Sequence, residues 1–303
     1  MMDWFLIAFI APVLWAVSNH IDKFLVDKYF YGKTRALILF SCFIGIFVIP
    51  FIFLYQPSVL AVSPIFAAVM ILNGFIYISY LFPYFKALKK DDSSTIVPIF
   101  QTIPVLTWVI AFFVLGETLS TNQLFASALI IFGAIGVSLK LNGKGITLKR
   151  DILGLMLLAS LLVAINGVVF KLFAISADFW TAFFWQEVGF VLFGAVLTGL
   201  VRGYREELFS AFRQHRARTI SINLFNEVIN IVAVMVFNYA TLLAPIALVY
   251  VINGFNPLLT LLFGLILAVF FPKIEREDIR AKVLLQRLVF ILMIFAGAFL
   301  LRA

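Results

Sequence analysis

Two glutamates, Glu187 and Glu227, stand inside apolar runs with no Lys or Arg close in sequence to neutralise them. A carboxyl in a low-dielectric setting is readily switched between neutral and charged forms, and when charged it attracts cations. Asn223, Asn226, Glu227 and Asn230 recur at three- and four-residue spacing, so they share one helical face. Asn73, Tyr77, Tyr80 and Tyr84 repeat that spacing in another run. Trp180, Phe184 and Glu187 do so in a third, with Trp185 and Gln186 beside them. An aromatic ring near a carboxylate suits a bound cation. Gln101 and Thr102 precede Pro104, and Asn253 and Asn256 precede Pro257. A proline there frees a backbone carbonyl and permits a kink. These residue types point to reversible handling of protons and a small polar solute. A plainer reading stands beside each. Asn also joins membrane helices by hydrogen bonds, Trp180 also suits a lipid interface, and a kink can be purely structural.

Covalent catalysis has little to work with. The chain holds one cysteine, Cys42, and two histidines, His20 and His215. It therefore offers no intrachain disulfide, no redox pair and no metal cluster. His20 and Asp22 are two residues apart and do not share a helical face. No phosphate-binding loop is present, so neither an enzyme nor a cofactor is expected.

The elements that carry these residues follow from hydropathy. Of 303 residues 64% are hydrophobic and 13% charged, where soluble domains carry roughly 25% charged residues. The apolar runs approach the length that spans a bilayer. They predict an all-α integral membrane protein with ten spans, at 4–21, 35–55, 62–85, 94–116, 121–139, 152–172, 179–201, 218–241, 244–271 and 283–301. Ser120 and Gln123 form a capping-box start for the fifth span. The first run lacks a basic leader and a small-residue cleavage site, so no cleaved signal is expected. Twenty-one of the 23 Lys and Arg fall in alternate loops, leaving only Lys171 and Arg302 elsewhere. That places the odd-numbered loops in the cytoplasm and both termini outside a plasma (inner) membrane. The same arithmetic explains the net charge of +8 without nucleic acid as a partner.

The halves also match each other weakly. At an offset of 153, Asn73 falls on Asn226, Ala87 on Ala240 and Pro104 on Pro257. At 148, Ala16 falls on Ala164 and Lys23 on Lys171. Five spans per half make the second copy enter the membrane upside down. The expected domains are 1–140, a connector at 141–151, and 152–303. Two inverted five-helix repeats around a central cavity suit alternating access.

Particular stretches resemble a known family. The first span reads Leu14-Trp15-Ala16-Val17-Ser18-Asn19 and ends near Lys23. The fourth carries Pro104 and is followed by Gly116-Glu117-Thr118-Leu119-Ser120. These features resemble EamA-type transporters of the drug/metabolite transporter superfamily. The second half departs from the pattern: Pro257 matches, but Phe271-Pro272-Lys273-Ile274-Glu275 replaces the Gly-Glu turn. The resemblance implies a secondary transporter, often an exporter of metabolites, amino acids, amines or drugs.

With the residues above, it sets the expectation of a proton-coupled carrier. Asn73, Tyr77, Tyr80, Gln101, Trp180, Asn223, Asn226, Asn230 and Asn256 would meet the small-molecule substrate, and Glu227 and Glu187 would carry protons. A carrier of lipid-linked sugars or nucleotide sugars remains an alternative, as does a non-transporting assembly partner. Lys23 and Lys171, at helix ends, are the cations that could serve a nucleotide sugar or organic phosphate, with snorkelling anchors as the plainer reading, and Glu117 reads as a turn residue. Gly133 and Gly136, with Ala126 and Ala134, permit close helix packing against membrane neighbours, within the bundle or in a homodimer.

Overall fold

The computed structural model describes residues 4–25, 35–88, 90, 97–138, 150–214, 217–270 and 281–302. Among the described residues, seven helices are long and apolar enough to cross a membrane: Trp4–Asp22, Arg35–Tyr55, Pro64–Ala87, Arg150–Ser176, Phe179–Leu200, Thr219–Leu243 and Ile246–Gly264. Three shorter apolar helices, Ile99–Leu115, Thr121–Val137 and Leu288–Leu301, lie where the other spans are expected. Large apolar side chains cover the outside, with Phe51 74% and Phe113 79% exposed. Such a surface is a liability in water and a match for lipid.

In chain order the helices are α1 (Trp4–Leu25), α2 (Arg35–Phe43), α3 (Gly45–Tyr55), α4 (Pro64–Ser79), α5 (Leu81–Leu88), α6 (Ile103–Leu115), α7 (Thr121–Ser138), α8 (Arg150–Ser176), α9 (Phe179–Leu200), α10 (Arg202–Gln214), α11 (Ala217–Leu243), α12 (Ile246–Ile252), α13 (Asn256–Phe270) and α14 (Ala281–Arg302). Four expected spans are thus divided, and prolines account for three of the divisions. Pro83 cannot donate to Ser79, and the helix changes at Tyr80, whose N–H turns to Tyr77 at 3.2 Å. Before Pro104 the chain runs as a 3₁₀ turn over Val97–Thr102, held by Thr102 Oγ1 donating to the Ile99 carbonyl at 2.7 Å. Before Pro257 a second 3₁₀ turn covers Asn253–Phe255. The division between α2 and α3 at Ile44 is slight, with Ile44 still donating to Phe40.

Caps finish the ends. Ser120 and Gln123 exchange hydrogen bonds at 2.9 and 3.3 Å, the reciprocal capping box expected at the start of α7. Asp178 caps α9 by accepting from Thr181 N at 3.0 Å, and it also accepts from Gln56 Nε2 at 3.0 Å. Partial burial pushes its carboxyl pKa up. The hydrogen bonds from Thr181, Gln56 and the Trp180 backbone outweigh that and hold it below the usual carboxylate value.

Close packing aims the polar faces. The pairs α1–α11, α4–α9, α6–α8 and α7–α14 form the main helix contacts. At the α4–α9 crossing a Cβ on Gly74 would stand 2.6 Å from the Gln186 carbonyl, and one on Gly189 only 2.4 Å from that of Ile71. Only glycine lets these backbones meet, and that meeting sets the rotation of α9 and hence where Glu187 points. The small face of α7 is spent inside the bundle: a Cβ on Gly136 would collide with the Phe290 ring of α14.

Candidate functional site

Glu187 and Glu227 come from α9 and α11. Glu227, on α11, is 4% exposed and accepts from Ser41 Oγ of α2 at 2.9 Å. Glu187, on α9, is fully buried, and neither of its carboxylate oxygens has a hydrogen-bond partner. It faces Gly45 of α3, where a Cβ would lie 3.2 Å from its Oε2. A third acid joins them. Asp22, near the end of α1, accepts from Asn226 Nδ2 at 2.6 Å. It is close enough to Glu227 for their charges to interact. Tyr77 and Cys42 each lie within electrostatic reach of both Glu187 and Glu227. Tyr80 and Tyr84 lie within reach of Asp22. The rings form a continuous row: Tyr77 stacks on Phe190 at 5.3 Å and meets Tyr80 at 5.4 Å, and Tyr84 packs on Phe100 at 5.4 Å. Among the described residues no Lys, Arg or His forms an ion pair with any of the three acids.

Another acid, half-buried, sits elsewhere and is fully engaged. The turn after α6 ends at Gly116 in the left-handed region, φ 67°. It delivers Glu117 to Lys171 of α8, with which it forms an ion pair. Glu117 Oε2 also accepts from the Ile246 backbone N–H at 2.8 Å, capping the start of α12. Lys171 Nζ donates to the Ala244 carbonyl at 2.6 Å. Lys171 is 5% exposed. It is therefore a paired interior cation and not the snorkelling anchor expected of it.

Comparison with known proteins follows from this geometry. The model of the EamA-like transporter family matches residues 2–139. No curated relative matches. One crystal structure of another protein superposes with a TM-score of 0.69 over 98% of this chain and 94% of its own, at 15% identity. A likeness at that identity speaks for the fold.

Within the matched residues, Asn73 is buried on α4 and donates to the Asn166 carbonyl of α8 at 3.2 Å, and Asn166 returns the bond to the Asn73 carbonyl at 3.2 Å. This reciprocal pair ties α4 to α8. Tyr77 and Tyr80 stand in the ring row beside the acids. Gln101 lies in the 3₁₀ turn, its Oε1 3.5 Å from where a Cβ of Gly254 would be. Beyond those residues, Asn223 is buried with both amide atoms unpartnered, and Asn230 is half-buried two turns further along α11. Asn256 donates to the Pro12 carbonyl at 3.3 Å and accepts from Asn19 Nδ2 at 3.2 Å. Trp180 is not brought to the acids; its ring packs on Tyr55 at 5.4 Å and Phe179 at 5.2 Å. Trp185 donates to the Val59 carbonyl at 2.9 Å.

Asp22 and Ser41 join the site although neither is among the residues expected there from sequence. Lys23 directs attention to a charged helix end, and nothing local shows that α1 runs on to Leu25. A signal did exist for Asp22: it follows Ser18 by one helical turn, placing two polar groups on one face.

Proposed function

We propose that this multi-pass membrane protein is a proton-coupled secondary transporter of small cationic or zwitterionic solutes, such as amines, amino acids or drugs, working as an exporter. One observation carries the reading: Asp22, Glu187 and Glu227 are gathered beside a row of tyrosines without a basic partner among the described residues. Burying uncompensated carboxylates costs several kcal/mol, and the cost is met by protonation or by a bound cation. Glu227, held by Ser41 and facing Asp22, is the coupling residue, and Glu187 assists. Asn226, Asn223 and Asn230, with Tyr77 and Tyr80, orient the solute by hydrogen bonds and ring faces. Phosphorylated sugars would need free cations at depth, and Lys171 is already committed to Glu117.

The transport cycle rests on ten spans arranged as inverted repeats, 1–140 and 152–303. Packing supports this: α1–α11 and α4–α8 are both prominent contacts, as are α6–α8 and α1–α13. Each is the partner of the other when the halves are exchanged. Pro104 and Pro257 each follow a 3₁₀ turn. Both termini lie outside, so a cytoplasm-only reporter fused after Ala303 stays silent.

The deciding experiment uses purified protein in vesicles. A thermal-stabilisation screen across amines, amino acids, sugars and drugs at two pH values identifies the solute. Glu227→Gln then loses transport driven by a pH gradient while solute exchange persists. Unchanged pH dependence in that variant defeats the coupling role.

A further inference from the structure

Between α9 and α11 the chain forms a helix of different character. Only Val201 separates α9 from α10, and α11 begins at Ala217. Since α9 and α11 carry membrane spans, both ends of α10 are tethered at one membrane face. Its inner side is occupied: Tyr204, Leu208 and Ala211 are buried against α2 and α9. Two of its charges are also occupied. Glu207 pairs with Arg35 at 3.3 Å, and the Arg35 guanidinium lies 5.8 Å from the centre of the Tyr204 ring. Glu206 pairs with Arg202 at 2.5 Å.

The outer side keeps Arg205 and Arg213, which have no ion pair among the described residues. Between them lies Phe209, 54% exposed, with Phe212 at 52% beside it. Arg205, Glu206, Phe209, Ser210 and Arg213 border one open concavity of about 340 Å³. Leu200, 81% exposed, and Val201 continue the apolar surface to the end of α9.

We propose that this concavity is a binding site for the headgroup of an anionic phospholipid. Arg205 and Arg213 flank the phosphate and Ser210 donates a hydroxyl. Phe209 and Phe212 sit at the boundary where the acyl chains begin. The negative charge of Glu206 is offset by Arg202. Basic groups interleaved with aromatic rings, on a helix held to the bilayer surface, fit a lipid better than a soluble anion, which has no use for the rings. The positive-inside orientation puts α10 on the cytoplasmic leaflet, whose lipids are often anionic. Through Arg35 the helix is joined to α2, the helix that carries Ser41 to Glu227. An occupied site therefore steadies α2. The inference stands apart from the transport reading, because it needs no solute or proton coupling.

Native mass spectrometry of the purified full chain tests it, with phosphatidylglycerol and phosphatidylcholine of matched acyl chains. The expected result is retention of phosphatidylglycerol on the order of tenfold above phosphatidylcholine, from two arginines near a charged surface. R205Q/R213Q removes that preference while melting in lipid-free detergent stays as in the parent, and R205K/R213K keeps it. F209S/F212S lowers retention of both lipids. An intact preference in R205Q/R213Q overturns the proposal. So does thermal protection by inorganic phosphate equal to that by phosphatidylglycerol, since the site would then belong to a free anion.

Discussion

At the turn after α6, a half-buried carboxylate has everything a charge needs. Glu117 meets Lys171 and caps Ile246, and Lys171 reaches the Ala244 carbonyl. Around Glu227 the opposite holds. One serine hydroxyl serves Glu227, one amide serves Asp22, and Glu187 has no hydrogen-bond partner. The first arrangement is complete and leaves no reason to bind anything further. The second leaves charge to be met by a proton or a solute cation. In the proposed mechanism it is this missing countercharge, not burial alone, that marks the working site.

The sharpest way to break this contrast is to neutralise one acid from each region. In the proposed mechanism Glu227→Gln abolishes pH-driven transport, the largest effect, while leaving the melting temperature unchanged or raised, because an unpaired buried charge is removed. Vesicle flux and a melting curve on the same preparation read both. Lys171→Met does the reverse. It strands Glu117 and lowers stability by about 3–5 kcal/mol, and Lys171→Met with Glu117→Met recovers most of the loss. A double variant as unstable as the single one would mean that the pair does more than balance charge.

Smaller changes sharpen the comparison at the helix seams. Asn73→Ala removes one of the two bonds tying α4 to α8 and costs about 0.6–1.7 kcal/mol in unfolding measurements. Asp178→Ala removes the cap of α9 and costs about 1 kcal/mol at neutral pH. The Asp178 pKa is depressed in the folded state, so its charge-dependent contribution is fully present above about pH 3.9. That contribution fades as pH falls through the lower folded value. The gap between parent and variant should close in acid, and a gap that widens there would reverse the assignment.

Much of this was legible in the residues themselves. Hydropathy located the seven long membrane helices, because a span is a run of neighbours whose transfer to lipid adds residue by residue. The Ser120–Gln123 box, the kinks before Pro104 and Pro257, and the EamA resemblance over the first half are likewise local patterns. Glu187 and Glu227 were legible as buried acids for the same reason. Their partners were not. Ser41 and Glu227 are 186 residues apart, and Asp22 and Asn226 are 204 apart. Nor could local pattern separate Trp180, which packs on Tyr55, from residues that reach the acids.

Chain chemistry alone determined which stretches enter the membrane and which polar groups they carry there. Only the tertiary structure decided which of those groups meet. Pairing across helices depends on rotation about each axis, and that rotation is set where backbones touch, as at Gly74 and Gly189. A helix turned by one residue shifts every side chain by about 100°, enough to exchange a partner for lipid.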